Sequence, residues 1–228
     1  RGPWRPTSTR AGSSTCPSCP RPRPARSSAS SCVRKCAGAV LNIRHATPAD
    51  LDVCYEISLA TGFEGGDSSP LYADRRLIGH IYVAPYLLLA PALAFVVDDR
   101  DGVVGFAVGT ADTIAWESRL EREWWPPLRE RYADPSCIPP DLRTADQRRA
   151  FMIHHPTLTP SPVVDRFPAH LHMNLLPRAQ RRGVGANLLG VWLKAVSAHG
   201  AQATHVGVNR ANAGGCRFWA KQGFVELM

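Results

Sequence analysis

One segment constrains this chain more than any other: His170–Gly185, HLHMNLLPRAQRRGVG, followed by an apolar stretch. His170–Leu176 reads as a strand, and Arg178–Gly185 as a turn of the form Gln180-x-x-Gly183-x-Gly185. Ala186–His199 then has helical spacing, with Gly200 as its stop. Such a turn bares the main-chain N–H groups of residues 181–186 to an anion, which the positive end of the helix also favours. Arg178, Arg181 and Arg182 add charge suited to phosphates. The turn is no P-loop, since it lacks Gly-Lys-Ser/Thr. It is no dinucleotide fingerprint either, which needs G-x-G-x-x-G.

The rest of the pattern sets the fold class. Downstream lie a strand at Thr204–Val208, a helix at Asn212–Gln222 and a strand at Phe224–Leu227. Upstream, Val40–Arg44 alternates as a first strand. Thr47-Pro48-Ala49-Asp50 then caps a helix, with Pro48 at its first position and Asp50 in the capping-box position. A second helix is expected over Tyr72–Val83, then strands at Leu93–Val97 and Val103–Gly109 around a hairpin turn at Asp98–Gly102. Thr110 to Pro168 is too long for a plain loop and reads as a functional insertion, with one helix (Ile114–Trp124) stopped by Pro126-Pro127. The class is α+β with a mixed, mostly antiparallel sheet. Its fourth and fifth strands, joined through a helix, should be parallel.

Composition narrows the function classes. At 44% hydrophobic and 20% charged, the chain can bury a core. The net charge of +8 sits in residues 1–40, which hold eight basic residues and no acid. The remaining 19 basic residues balance 19 acidic ones, so a nucleic-acid-binding body is disfavoured and only the tail has that character. Residues 1–39, rich in Pro, Ser and Arg, are expected to form a disordered tail, with the domain over 40–228. Cys16, Cys19, Cys32 and Cys36 in that tail have tolerable zinc spacing, but incidental thiols are the simpler reading. Cys54, Cys137 and Cys216, an odd number and far apart, argue for a reducing, cytoplasmic setting. The start lacks the apolar core of a signal peptide. Ile81–Val97 is uncharged, but Pro85 and Pro91 interrupt it, so it reads as a helix end followed by a buried strand, not a membrane span.

Leu175 and Pro177 at the strand end, the loop Gln180-Arg181-Arg182-Gly183-Val184-Gly185, and Asn212, Gly215, Trp219 and Gly223-Phe224 together resemble the Gcn5-related N-acetyltransferase (GNAT) superfamily. Tyr82–Leu87, the hairpin Gly102–Gly109, Asp112-Thr113 and Trp124-Trp125-Pro126 look like bacterial stand-alone relatives of the acetyltransferase-like domain of O-GlcNAcase. The resemblance implies a splay between strands 4 and 5 and acetyl-CoA as cosubstrate, with no metal. It implies cofactor contacts at Leu175, Leu176, Gln180, Arg181, Arg182, Gly183, Val184, Gly185, Ala186 and Asn212. The Leu175 N–H would polarise the thioester carbonyl. His172 and His170 are the candidate bases, similar to the paired histidines of serotonin N-acetyltransferase, though shifted by one residue relative to the glycine loop. Tyr82, Asp112 and Asn174 are candidate acceptor residues, and Asp165 and Glu64 alternate bases.

The implied reaction is acetyl transfer to an amine by direct attack, the acceptor being a small molecule or a lysine-bearing protein. The alternative is a CoA-binding module with little catalysis. Two departures favour that alternative: Trp219 stands at the usual tyrosine, and Asn174 where an acidic residue is expected. The chain also stops at Met228, before the family's usual seventh strand, so the expectation is either a truncated fragment or an open sheet edge covered by a partner, such as a second copy in a homodimer, or by a tail segment. No membrane partner is expected, and no nucleic acid except through the basic tail.

Overall fold

The computed structural model describes residues 41–227, so the expectations for the tail, its four cysteines and residue 228 lie outside the described residues. In chain order the elements are β1 (Asn42–His45), α1 (Leu51–Ala60), α2 (Leu77–Tyr82), α3 (Ala84–Leu89), β2 (Ala94–Asp99) and β3 (Gly102–Thr110). The insertion carries α4 (Thr113–Glu123), α5 (Trp125–Arg131), α6 (Ala145–His154) and α7 (Ser161–Val164). Then come β4 (Ala169–Leu175), α8 (Val184–Ala198), β5 (Thr204–His205) and α9 (Ala213–Lys221).

The sheet order is β1-β2-β3-β4-β5, antiparallel throughout except for the parallel β4–β5 pair. Two apolar layers sandwich it. One, with Val96, Phe106 and Val108, is covered by residues of α1 to α6, such as Ile57, Leu77, Trp116 and Ile153. The other, with Phe95, Val97, Ala107 and Leu171, is covered by α8 through Leu188, Leu189 and Trp192. Trp192 is fully buried, and its indole N–H donates to the Leu93 carbonyl at 3.1 Å, pinning α8 to the sheet.

The capping signal at Thr47 is present, but Asp50 has a larger task. Its carboxylate accepts the Thr47 N–H (2.8 Å) and hydroxyl (2.9 Å) and takes two bonds from the Arg44 guanidinium at 2.7 and 2.8 Å. That pairing holds Asp50 down to about 2. Arg44 also reaches Asp98, tying the α1 start to β1 and β2.

Three expectations are corrected. The predicted helix Tyr72–Val83 starts only at Leu77, because Asp74 forms a turn that accepts the Arg76 N–H; a separate α3 follows with Pro85 in its first turn. Pro126-Pro127 do not merely stop a helix. They occupy the first turn of α5, where no N–H is needed, so the insertion is largely helical. Phe224–Leu227 is not a strand: β5, expected over Thr204–Val208, is only Thr204–His205 and pairs at those two residues, and Phe224 folds back, its N–H on the Trp219 carbonyl.

Close packing at β3 yields a stability prediction. A Cβ on Gly109 would sit on the His170 carbonyl oxygen and the Trp192 ring. Gly109→Ala should therefore cost roughly 1–3 kcal/mol, read as a lowered urea midpoint. An unchanged midpoint would mean that β3 and β4 can separate freely here.

Candidate functional site

The direction of the main-chain groups of β4 follows from its register. The Leu176 N–H donates to the Val104 carbonyl at 2.8 Å, and Gly105 opposes Leu175. By antiparallel alternation, even-numbered residues of β4 bond to β3 and odd-numbered ones turn toward β5. Pairing with β5 ends at His170 opposite His205. The N–H groups of Met173 and Leu175 therefore face the gap where β4 and β5 part. Leu175 is where the sequence places it; the Leu176 N–H is consumed by β3.

The bend after β4 is open. Gln180 ties it back, its side-chain amide donating to the Leu175 carbonyl at 2.8 Å. Arg181 (φ 59°) and Gly183 (φ 77°) are both left-handed, a shape that turns successive N–H groups into a concavity. Val184, Gly185 and Ala186 form the first turn of α8, whose N–H groups have no helical acceptor. Among the described residues, no amide of 181–186 donates to a protein acceptor. Arg178 pairs with Asp99 at 3.0 Å, whereas Arg181 and Arg182 are exposed beside the bend. A Cβ on Gly185 would come within 3.0 Å of Phe218, so this glycine lets α9 approach α8.

At the other end of β4 lies a cleft of about 1630 Å³, lined by Tyr82, Tyr86, His170, His172, His205 and Trp219 among others. The histidines project from the face of β4 that α3 and α4 cover, with no bulge in the β3–β4 register. Their protons can be assigned by counting donors. The Thr113 hydroxyl donates its single proton to the Pro168 carbonyl at 2.6 Å, so it must accept from the His170 Nδ1–H at 2.8 Å. His170 Nε2 is then an acceptor and takes the Tyr86 O–H at 2.7 Å. The Tyr86 oxygen, its proton spent, accepts from His172 Nε2–H at 3.2 Å. His172 Nδ1 is left with a free lone pair. Burial holds the His172 imidazolium down to about 4, and burial with its histidine neighbours holds His170 well below the ordinary value.

The remaining candidates are distributed differently. Asp112 caps α4, accepting the Ala115 N–H at 2.9 Å, and neither it nor the exposed Asp165 and Glu64 lines the cleft. Asn174 donates to the Thr61 hydroxyl at 2.7 Å. Asn212 caps α9 by accepting the Gly215 N–H at 2.8 Å, and it stands against Gly65. Tyr82 packs edge-on against His172, with ring centres 5.3 Å apart. Three members escape sequence reasoning: Tyr86, Thr113 and His205. His205 donates Nδ1–H to the Phe167 carbonyl at 2.7 Å, which leaves Nε2 as a second free acceptor facing the cleft. A polar residue directly opposite His170 on a parallel strand is the signal that could have found it.

The chain is 35% identical to SsHAT, a solved stand-alone relative of the O-GlcNAcase acetyltransferase-like domain, with a TM-score of 0.77 over 82% of this chain and 92% of that one. It belongs to the GNAT superfamily. This GNAT chain is also 24% identical over 190 residues to the O-GlcNAcases of Rattus norvegicus and Mus musculus. That match covers 82% of the chain but about a fifth of the length of those relatives. No family model matches the chain. The family assignment agrees with the mixed sheet, the parallel β4–β5 pair and the glycine bend.

Proposed function

We propose that this chain moves the acetyl group of acetyl-CoA, the cosubstrate of its family, onto an amine. The observation that carries the reading is the unpaired edge of β4. Its Met173 and Leu175 N–H groups lead directly into a bend of six free amides. The bend fits a diphosphate, with Arg181 and Arg182 beside it, and the strand edge fits an extended amide-bearing arm. When bound, acetyl-CoA supplies an activated acyl group. The Leu175 N–H is placed to donate to the acyl oxygen as charge develops on it.

On the acceptor side, His172 Nδ1 receives a hydrogen bond from the incoming amine. A weakly basic imidazole suffices, because an amine nitrogen becomes strongly acidic as it bonds to an acyl carbon. The Tyr86 oxygen holds the Nε2–H of His172, which fixes the tautomer that leaves Nδ1 free, and the proton taken at Nδ1 returns to solvent. Trp219 lines the cleft, but an indole N–H can only donate a hydrogen bond, so the thiol proton must come from solvent. Cys54, Cys137 and Cys216 are free thiols, which fits a reducing, cytoplasmic setting.

Calorimetry with acetyl-CoA tests the binding half, and thiol release against an amine panel tests transfer. His172→Ala should lower turnover about a hundredfold or more while leaving acetyl-CoA affinity unchanged. Equal turnover would remove His172 from the reaction. Binding without thiol release from any acceptor would favour the second reading, a CoA-binding module, for which Trp219 and Asn174 speak.

A further inference from the structure

Beside the histidines, Tyr82 and Met152 on the cleft wall are backed by a group of hydrogen-bond donors with too few acceptors. Arg149, on α6, is a half-buried cation, and among the described residues no carboxylate pairs with it. Two carboxylates of this region are engaged elsewhere. Asp146 accepts the Ala73 and Asp74 N–H groups, and Asp74 accepts the Tyr132 hydroxyl and pairs with Arg131. The guanidinium instead donates to three neutral acceptors: the Tyr72 oxygen from Nε and the Tyr82 oxygen from Nη1, each at 3.0 Å, and the Met152 sulfur from Nη1 at 3.1 Å.

A phenol oxygen that accepts from a cation has its own proton left to give. Tyr82 spends that proton only on the Met152 sulfur at 3.9 Å, a weak acceptor. Tyr72 donates to no protein acceptor among the described residues. Two hydroxyl donors and a cation thus converge with no anion between them. A half-buried cation whose protein partners are all neutral gains from an anion that completes its shell. Tyr82 and Met152 both line the cleft, and the Tyr82 ring touches His172.

We infer that Tyr82, backed by Arg149 and Tyr72, is an anion subsite for the acceptor, which is therefore an amine that also carries a carboxylate. The inference rests on reading the cleft as the acceptor site. The amine sits at His172, and the carboxylate lies about one phenol ring farther along, so the spacing between the two groups decides which acceptor fits.

The test is a series of ω-amino carboxylates, from glycine to 6-aminohexanoate, each paired with its carboxamide. At the best chain length the carboxylate should be preferred by about tenfold or more in kcat/KM. The preference should fall toward one in Arg149→Gln and in Tyr82→Phe, and partly return in Arg149→Lys. A readout independent of turnover is binding of the N-acetylated acids and amides to the CoA-saturated protein. An Arg149-dependent preference there, with no thiol release from any amine, would sink the transferase reading and leave the anion subsite standing. Equal use and equal binding of acids and amides at every length would overturn the subsite. So would a preference unchanged in Arg149→Gln. Tyr72→Phe, which conserves the packing, gives the same comparison should Arg149→Gln fail to fold.

Discussion

A Gly183→Glu chain is expected to fold and to lose acetyl-CoA. Gly183 holds φ at 77°, and nothing lies within 4 Å of an added Cβ, so a side chain there meets no protein atom. The left-handed backbone costs a non-glycine residue about 1–2 kcal/mol, a few degrees of melting temperature. Binding suffers far more. Gly183 is the residue from which α8 springs, at the centre of the free amides 181–186. A glutamate there places a carboxylate where those amides converge and supplies intramolecularly the anion they lack. A diphosphate would then meet like charge and a filled cradle. Affinity should drop at least a hundredfold, read by calorimetry. Gly183→Ala separates the causes, because it carries the backbone strain without the charge and should bind within about tenfold of wild type. Glutamate binding as well as alanine would place the diphosphate elsewhere.

What the sequence disclosed, and what it withheld, follows from how local each signal is. The bend at 180–185 was readable because a turn's chemistry lies in its own residues. The Thr47–Asp50 cap was readable for the same reason, but the Arg44 bridge that joins Asp50 to Asp98 was not, since Arg44 and Asp98 lie 54 residues apart and meet only through the β1–β2 pairing. The parallel β4–β5 pair followed from the helix between the strands. The acceptor side was less legible. Tyr86 lies in an apolar run and reads as core, which its ring is; only the partner of its hydroxyl, 84 residues away, makes it the link between two histidines. Thr113 reads as a helix start. Two helices of the insertion, α5 and α7, were hidden by prolines that read as breakers but occupy first turns; α6 carries no proline and opens on a Thr144–Gln147 capping box, a local signal that was present in the sequence. The β3–β4 register runs without a bulge, so His170 and His172 keep one face of β4 whatever their spacing from the glycine loop.

The second large effect is expected in acid. His80 is held down to about 4, chiefly by burial; its Nδ1 meets the Tyr55 hydroxyl at 2.8 Å and its buried Nε2 has no partner among the described residues. His172 is likewise near 4, and His170 lies well below the ordinary value. Each folded-state value is depressed, so the unfolded chain binds protons first. Stability is therefore full above the unfolded value of 6.5 and is lost as pH falls toward 4. The slope is about 1.4 kcal/mol per pH unit for each group, or about 2 kcal/mol each between pH 6.5 and 5. The depressed carboxylates cannot offset this. Asp50, held to about 2, contributes stability that is fully present above its unfolded 3.8 and fades only below it. The groups facing the β4 histidines are His205, Tyr82, Tyr86 and Thr113, none a carboxylate that could stabilise an imidazolium. Urea midpoints should thus fall steeply between pH 7 and 5. In His80→Gln the fall should be shallower by about one group's share, whatever its stability at pH 7. Parallel slopes for the two proteins would show that His80 titrates normally, and a flat profile for both would remove the buried histidines from the account of acid sensitivity.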